Sequence, residues 1–475
     1  MTKTYLELSQ DAGTAHKFYE VVIDDTKVTI RYGRIGTDGT SSTKEYASAD
    51  AAQKDAAKKI KAKKSKGYEE AVMGQRKKRA ISRRAIASTT SSAKKAPVLW
   101  KFDSGSAAFG IYIDDRHCWV GNENGDVFKL NHKGEVVNQY KLPDGVKCII
   151  ADSDWIYVGC DDGNVYDLTG KLPRKAYEIK EDVDIYWLDI NSGLLGVSDS
   201  TGVVNVIDYD DEEQWSKKSS GDGGWMVRCG DDGSIYHGHS KGVTSYNGQS
   251  GDKLWETKTT GAVLFGWRTN DTVLAGTGAA RLHLLNKDGS SLGEMKGDGA
   301  FYSCAAAENN EYIFGGDSSS SIYCFDKEGN RLWKLGTTCG SAYSMQYHNE
   351  KLYIVTTRGN LACIDASADA IEKAKEGVLP QVTTISKPQQ QVAVANTDVL
   401  EEADENMQGV LLKCIKEGGK LRVRVLSPGY ESGWNVQFPK NLRKEGTTYL
   451  VDEIRESAQG GFYRVFGNIF TKSDS

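Results

Sequence analysis

Residues 312–337 read YIFGGDSSSSIYCFDKEGNRLWKLGT. A short apolar run leads through Asp317 into a turn of small residues, and a second run ends at Asp326. A glycine turn then opens a third run that carries Trp333. Short apolar runs bounded by Gly, Ser, Asp and Asn are strands joined by tight turns. The same phrase recurs through the middle of the chain. Taking the small residue of the first turn as phase marker, it falls at Gly125, Gly163, Gly202, Gly242, Ala280, Ser320 and Gly359, with intervals of 38, 39, 40, 38, 40 and 39 residues. A period of about 40 filled with short strands is the pattern of β-propeller blades, which must stack because no four-stranded sheet buries its own faces. Seven markers predict seven blades.

Working outward, the last repeat, LYIVTTRGNLACIDAS (residues 352–367), stops before a fourth strand. The missing strand stands ahead of the first repeat as VLWKF, residues 98–102, where Leu99-Trp100-Lys101 matches Leu332-Trp333-Lys334. This places a seven-bladed propeller over residues 98–367, with 98–102 as closing strand. Such pairing removes the open sheet edge that an unclosed ring would present.

The remaining sequence divides into a first domain (1–72), a basic linker (73–97), a second linker (368–407) and a small basic β domain (408–475). The fold class is therefore mainly β. Net charge, −5, conceals a segregation. Residues 1–95 carry 21 Lys and Arg against 11 Asp and Glu, residues 408–475 carry 11 against 7, and residues 96–407 carry 28 against 47. Basic ends attract polyanions that an acidic propeller repels. The nine cysteines include no CxxC, which suits reduced core residues. The N-terminus lacks the apolar core of a signal peptide and no run is long enough to span a bilayer, so a cytoplasmic protein without a membrane partner is expected.

In the first domain, FYEVVIDDTKVTIRY (18–32) reads as two strands around an Asp-Asp turn, followed by a glycine-punctuated loop and a returning strand. Ser48 is placed to cap a Lys- and Ala-rich helix that Gly67 ends. Phe18-Tyr19-Glu20, Arg31-Tyr32-Gly33-Arg34-Ile35-Gly36, the Lys44–Ala47 strand, the helix and Lys66-Gly67-Tyr68 together resemble a WGR domain. That domain is best known from DNA-dependent poly(ADP-ribose) polymerases and also occurs in many bacterial proteins. There the motif's aromatic residue packs on the sugar-phosphate at a DNA break while its arginine makes polar contacts nearby. The resemblance assigns these roles to Tyr32 and Arg34. Tyr32 stands where the family has tryptophan, and it stacks with less surface. Lys54, Lys58 and Lys61 share one helix face by i, i+4, i+7 spacing, either as phosphate contacts or as a solvated face. Basic clusters at Arg76–Arg79 and Arg83-Arg84 read as phosphate contacts, as a nuclear signal or as part of a plain tether.

The repeat, with Asn131, Asp208, Asn286, Asp326 and Asp365 six residues after their markers, resembles the pyrroloquinoline-quinone-type repeat and cofactor-free WD-like propellers. Quinone enzymes of that kind use a disulfide of adjacent cysteines, and no Cys-Cys pair occurs here. Trp215, Trp255 and Trp333 are expected between blades. His237 and His239 would share a strand face, but no third metal ligand stands nearby. GxxxxGK is not present. No cofactor and no catalytic constellation is predicted.

In the last domain Lys420, Arg422 and Arg424 alternate with Leu421, Val423 and Val425, setting a basic row on one face of a small β-barrel or β-roll. Trp434 and Phe438 near Lys440, Arg443 and Lys444 form either a single-strand or backbone-binding surface or a core with solvated cations. The sequence thus predicts an adaptor with a nucleic-acid-contacting first domain and a protein-binding propeller. Its rivals are a purely protein-binding scaffold in a regulatory or defence assembly and, last, a quinoprotein-type enzyme.

Overall fold

The structure, a computed structural model, describes residues 2–9, 16–34, 40–71, 90–180, 183–307, 309–389, 392, 400–404 and 406–472. The chain forms two compact units, Met1–Ala80 and Ile81–Ser475. In the first, antiparallel neighbours run across a sheet in the order Thr40–Glu45, Lys27–Arg34, His16–Asp24, Thr2–Ser9 and Glu69–Glu70. The helix α1, Ala49–Lys64, covers one face. Its Ala52 and Ala56 are fully buried against Leu6, Val21 and Val28, and side chains this small let helix and sheet approach closely. Ser48 Oγ accepts from the Ala51 N–H at 3.2 Å, satisfying one orphan donor of the first turn. At the other end the Tyr68 N–H reaches back to the Lys63 carbonyl (3.2 Å), a closure that needs the left-handed Gly67 (φ +87°). The expected strands and helix are present, with the returning strand at Thr40–Glu45 rather than Lys44–Ala47, and Thr2–Ser9 and Glu69–Glu70 are additional strands.

Between residues 98 and 386 the second unit contains seven sheets in consecutive order. Their innermost strands, from Ala108–Ile113 to Ala342–His348, each meet the next, and the last meets the first, so the ring is closed. All seven phase markers have positive φ, including the non-glycines Ala280 (+57°) and Ser320 (+60°). The left-handed residue turns the second strand of a blade into the third. It also anchors the fourth: the Gly125 carbonyl accepts from Leu142 N–H (2.8 Å), that of Gly202 from Ser219 (3.2 Å), and that of Ser320 from Thr337 (2.9 Å). A 40-residue period survives because one turn residue ties together three of the four strands.

Neighbouring blades are joined by a recurring tryptophan. The indole N–H of Trp215 donates to the Gly248 carbonyl of the next blade (2.8 Å), Trp255 to Lys287 (2.7 Å) and Trp100 to His132 (3.0 Å). Each ring lies on a positive-φ glycine of that turn. A Cβ on Gly251 would come within 2.7 Å of Trp215, and one on Gly289 within 2.5 Å of Trp255. Trp333 departs from the pattern and packs against Phe314 of its own blade, with ring centroids 6.0 Å apart. The Asx residues after the markers act within their own turns, as when Asp208 Oδ1 accepts from the N–H groups of Asp210 (2.9 Å) and Glu212 (3.0 Å).

Val98–Asp103 pairs antiparallel with Asn360–Asp365, with Trp100 opposite Cys363, and Ser104 N–H binds the Gly359 carbonyl at 2.9 Å. Outside it a fifth strand, Thr383–Ser386, runs parallel to Val98–Asp103. The segment 368–407, read from sequence as a linker, therefore contains structure: this strand and the helix α2, Ala368–Glu376. Ile371 and Ala374 of α2 are buried in the seventh-blade core, and Gly377 (φ +92°) ends the helix. Within 73–97, Ala96 N–H and the Lys94 carbonyl pair with Gly336 at 2.8 and 2.7 Å. The basic clusters of that segment lie outside the described residues.

Two outcomes test this account. Removing residues 1–89 should leave the melting temperature of the propeller unchanged, whereas removal through Asp103 should lower it by well over 5 °C, because closure is lost. Ala280→Gly and Ser320→Gly should each stabilise by about 0.5–1 kcal/mol, since the left-handed strain relieved exceeds the added entropy of unfolded glycine. Chemical denaturation measures both substitutions, and destabilisation by either removes the strain argument.

Candidate nucleic-acid interface and the docked carboxyl-terminal domain

In the strand Lys27–Arg34, Val28 and Ile30 face α1, and alternation puts Tyr32 on that face too. Tyr32 lies beyond the buried core and is 48% exposed. Its ring stacks on that of buried Tyr19 (6.4 Å, 29°), which meets buried Tyr68 edge-on at 6.5 Å. Lys63, in the last turn of α1, holds its ammonium 4.5 Å from the Tyr19 ring centroid and 5.0 Å from that of Tyr68. Burial, then the like charges of Lys66 and Lys17, push the Lys63 pKa down. A cation held against aromatic faces beside other lysines is short of counter-charge, the condition in which a phosphate is welcome.

Lys54, Lys58 and Lys61 are exposed on the helix face opposite Ala52 and Ala56, and the helix does not bring them to Tyr32. Lys59 is engaged by Asp55 at 2.7 Å, an ion pair that lowers the Asp55 pKa. Sequence does not single out Lys63, because one lysine among many carries no mark. Its signal is the spacing of 7 and 11 residues from buried Ala56 and Ala52, which turns it toward the sheet. The side chain of Arg34 and the loop at 35–39 lie outside the described residues.

The last domain is a five-stranded sheet in the order Lys420–Val425, Val410–Glu417, Thr448–Glu456, Phe462–Lys472 and Asn435–Gln437. It curls into a nearly closed barrel around Leu412, Cys414, Val436, Phe438 and Val451. Phe438 is core, and half-buried Trp434 packs on Tyr463 with ring centroids 5.1 Å apart. Two arginines of the basic row form ion pairs. Arg422 pairs with Asp210 in a turn of the third blade, and Arg424 pairs with Glu417 of its own domain. Sequence cannot show this, because Asp210 is 212 residues from Arg422.

These contacts belong to a broad docking surface. Asn435 donates to Asp210 Oδ1 (2.6 Å), and Arg443 donates to the Asp210 carbonyl (2.9 Å). Arg464 is 6% exposed; it donates to Asp152 (2.8 Å) and to the Tyr157 hydroxyl (2.7 Å), and its guanidinium lies 3.8 Å from the Trp155 ring centroid. The Trp155 indole N–H in turn donates to the Val465 carbonyl (2.8 Å), and Tyr209 stacks on Phe462 at 4.1 Å. Arginine suits this role because its planar fork satisfies several acceptors while stacking on an aromatic face. His237 and His239 are likewise committed internally. A ring nitrogen of His237 lies 2.6 Å from Ser219 Oγ, and one of His239 lies 2.8 Å from Thr244 Oγ1.

Comparison with known proteins accords with this geometry. Residues 2–75 match the family model of the WGR domain, and the first unit is a WGR domain. Residues 239–373 match the model described as outer membrane protein assembly factor BamB, a quinone-type repeat. Among solved structures the chain is similar to the WD40 β-propeller domain of Doa1, with TM-score 0.50 and 11% identity, over 60% of this chain and 99% of that one. The computationally designed Ika8 protein aligns with TM-score 0.47 and 11% identity, over 57% of this chain and 99% of its own. The likeness to the Doa1 domain shows the propeller fold. No curated protein matches the chain in sequence. Among the described residues no helix is long and apolar enough to cross a membrane.

The docking surface carries a pH signature. Asp211 has φ +62°, and neither of its buried carboxylate oxygens has a side-chain hydrogen-bond partner. Burial raises its pKa to about 7 against the opposing pull of Lys440 and Arg443. A carboxyl whose folded pKa lies above its unfolded value favours folding least once it is ionised, so its contribution falls as pH rises from about 4 to 7. Asparagine tolerates the same backbone and carries no charge. The melting-temperature advantage of Asp211→Asn should therefore grow between pH 5 and pH 8. Parallel curves for variant and parent would contradict this assignment.

Proposed function

We propose that the protein is a non-enzymatic adaptor whose WGR domain contacts nucleic acid, while its propeller presents a surface to a protein partner. Tyr32 carries the proposal: it is a large aromatic ring left half exposed, stacked on a second ring and flanked by a cation seated on the same cluster. A ring held this way stacks on a sugar or an unpaired base with little entropy to lose, and Lys63 supplies phosphate attraction beside it. Arg34, the second position implied by the WGR resemblance, completes the proposed contact set. The carboxyl-terminal domain is assigned a different role, since Arg422, Arg443 and Arg464 are spent on the propeller. Its basic excess is matched by the acidic ring it sits on.

The test uses the full chain with intact circular, nicked and blunt-ended duplex DNA across a salt titration. Affinity should fall steeply with salt. Tyr32→Ala should cost about 1–3 kcal/mol of binding to nicked or blunt DNA. Lys63→Ala should weaken binding to all forms and should lose more than Lys58→Ala, which should only lower the salt slope by about one. Salt-insensitive or absent binding, or an unchanged Tyr32→Ala, leaves the protein-binding scaffold as the reading.

A further inference from the structure

The central channel of the propeller is obstructed at one level by packed aromatic rings. Tyr186 stacks on Trp225 at 3.7 Å and Phe109 on Tyr343 at 4.1 Å. On the side of the turns that join first and second strands, the channel opens into a vestibule of about 560 Å³. Its wall combines apolar Ile149 and Ile150 with polar Asn270, Ser344 and Gln346 and the acid Asp189. Arg228, from the fourth blade, also lines it and is only 8% exposed.

The surroundings of Arg228 are unusual for a buried cation. Nε and Nη2 both donate to the same acceptor, the Gly266 carbonyl, at 3.0 and 2.8 Å. The guanidinium carbon lies 4.8 Å from the Trp267 ring centroid, 5.1 Å from that of Trp187 and 5.7 Å from that of Phe265. Among the described residues no carboxylate forms an ion pair with it, and Nη1 has no hydrogen-bond partner. Asp189 acts on it through space, but Asp189 Oδ2 is occupied by the Cys229 N–H at 2.8 Å. The rim cation Arg268 is held by Asp231 at 3.1 Å. A buried charge is normally paired, because desolvation without compensation is costly. Here the cation keeps donors facing a cavity large enough for a small organic ligand.

We infer that this vestibule binds a carboxylate attached to an apolar body, with Arg228 holding the carboxylate and Ile149, Ile150 and Met345 covering the body. A guanidinium fork matches a carboxylate, and the Trp187 and Trp267 rings flank it. Inorganic phosphate is the control ligand, because Arg268, Asn270 and Gln346 also line the vestibule. The same chemistry is offered by a free organic acid and by the C-terminal residue of a peptide. The inference is independent of nucleic-acid binding by the WGR domain.

Ligand-detected NMR saturation transfer on the full chain tests it. The probes are hydrocinnamate, hydrocinnamide, inorganic phosphate, and a short peptide ending in phenylalanine with a free or an amidated terminus. Hydrocinnamate or the free-acid peptide should bind, and the matching amide should bind at least tenfold more weakly. Arg228→Lys keeps the charge but loses the fork and should reduce acid affinity at least tenfold. Ile150→Trp fills the vestibule and should abolish binding while the melting temperature shows the ring intact. A tenfold preference for the peptide over hydrocinnamate identifies a peptide terminus as the source, and the reverse identifies a free acid. Absence of acid binding, equal binding of acid and amide, stronger binding of phosphate, or full binding by Ile150→Trp overturns the inference. Should Arg228→Lys fail to fold, the acid–amide comparison and Ile150→Trp decide alone.

Discussion

Ring closure between Val98–Asp103 and Asn360–Asp365 is the constraint on which the second unit depends. Each blade is stable only between two neighbours, so a ring with an incomplete seventh sheet would expose one sheet edge and two blade faces. Completing the last blade with a strand from before the first converts a row into a circle. The closing strand is itself covered by Thr383–Ser386, so the chain enters and leaves the ring through the same sheet. Trp100 lies in that strand and makes the same contact with blade one that Trp215 and Trp255 make with their successors. Clasp and blade junction are thus one device.

Much of the architecture was legible because its physics is local. A left-handed turn residue, an Asx turn and a tryptophan recur at fixed spacing, and each does its work within one blade or at the next. The strands of the WGR domain and the cap at Ser48 are legible for the same reason. What escaped is non-local. The helix α2 hides in a polar stretch because two buried side chains, Ile371 and Ala374, suffice to seat nine residues. The alternation of Lys420, Arg422 and Arg424 reveals a face but not its occupant. A cation bound for phosphate and one bound for an aspartate elsewhere in the chain look alike until the fold brings Asp210 to Arg422.

That ambiguity also explains the charge segregation. The propeller's acidic excess is partly a receptor for its own terminal domain, through Asp152, Asp154 and Asp210. Part of the basic surplus of residues 408–475 answers it, through Arg422, Arg455 and Arg464. The surplus in residues 1–95 is different in kind. Within the WGR unit Asp55 satisfies Lys59 and Glu20 satisfies Lys3 and Arg31, yet Lys63 remains on the aromatic cluster beside Tyr32.

Lys63 and Arg228 are held by aromatic rings rather than carboxylates, and they contrast with the arginines of the docking surface. Arg464 is just as buried as Arg228, and it stacks on Trp155 in the same manner. Arg464 nevertheless has Asp152 and the Tyr157 hydroxyl, so its charge is answered within the fold. A structural arginine at the blade centre could have been answered in the same way, since Asp189 is close enough to be felt. The fold instead turns Asp189 onto a backbone N–H and leaves one side of Arg228 toward open space. Aromatic rings stabilise a cation without neutralising it, which keeps its attraction for an anion that arrives later. Buried arginines divide accordingly: those answered by acids hold domains together, and the one answered only by rings and a carbonyl marks where a ligand completes the charge balance.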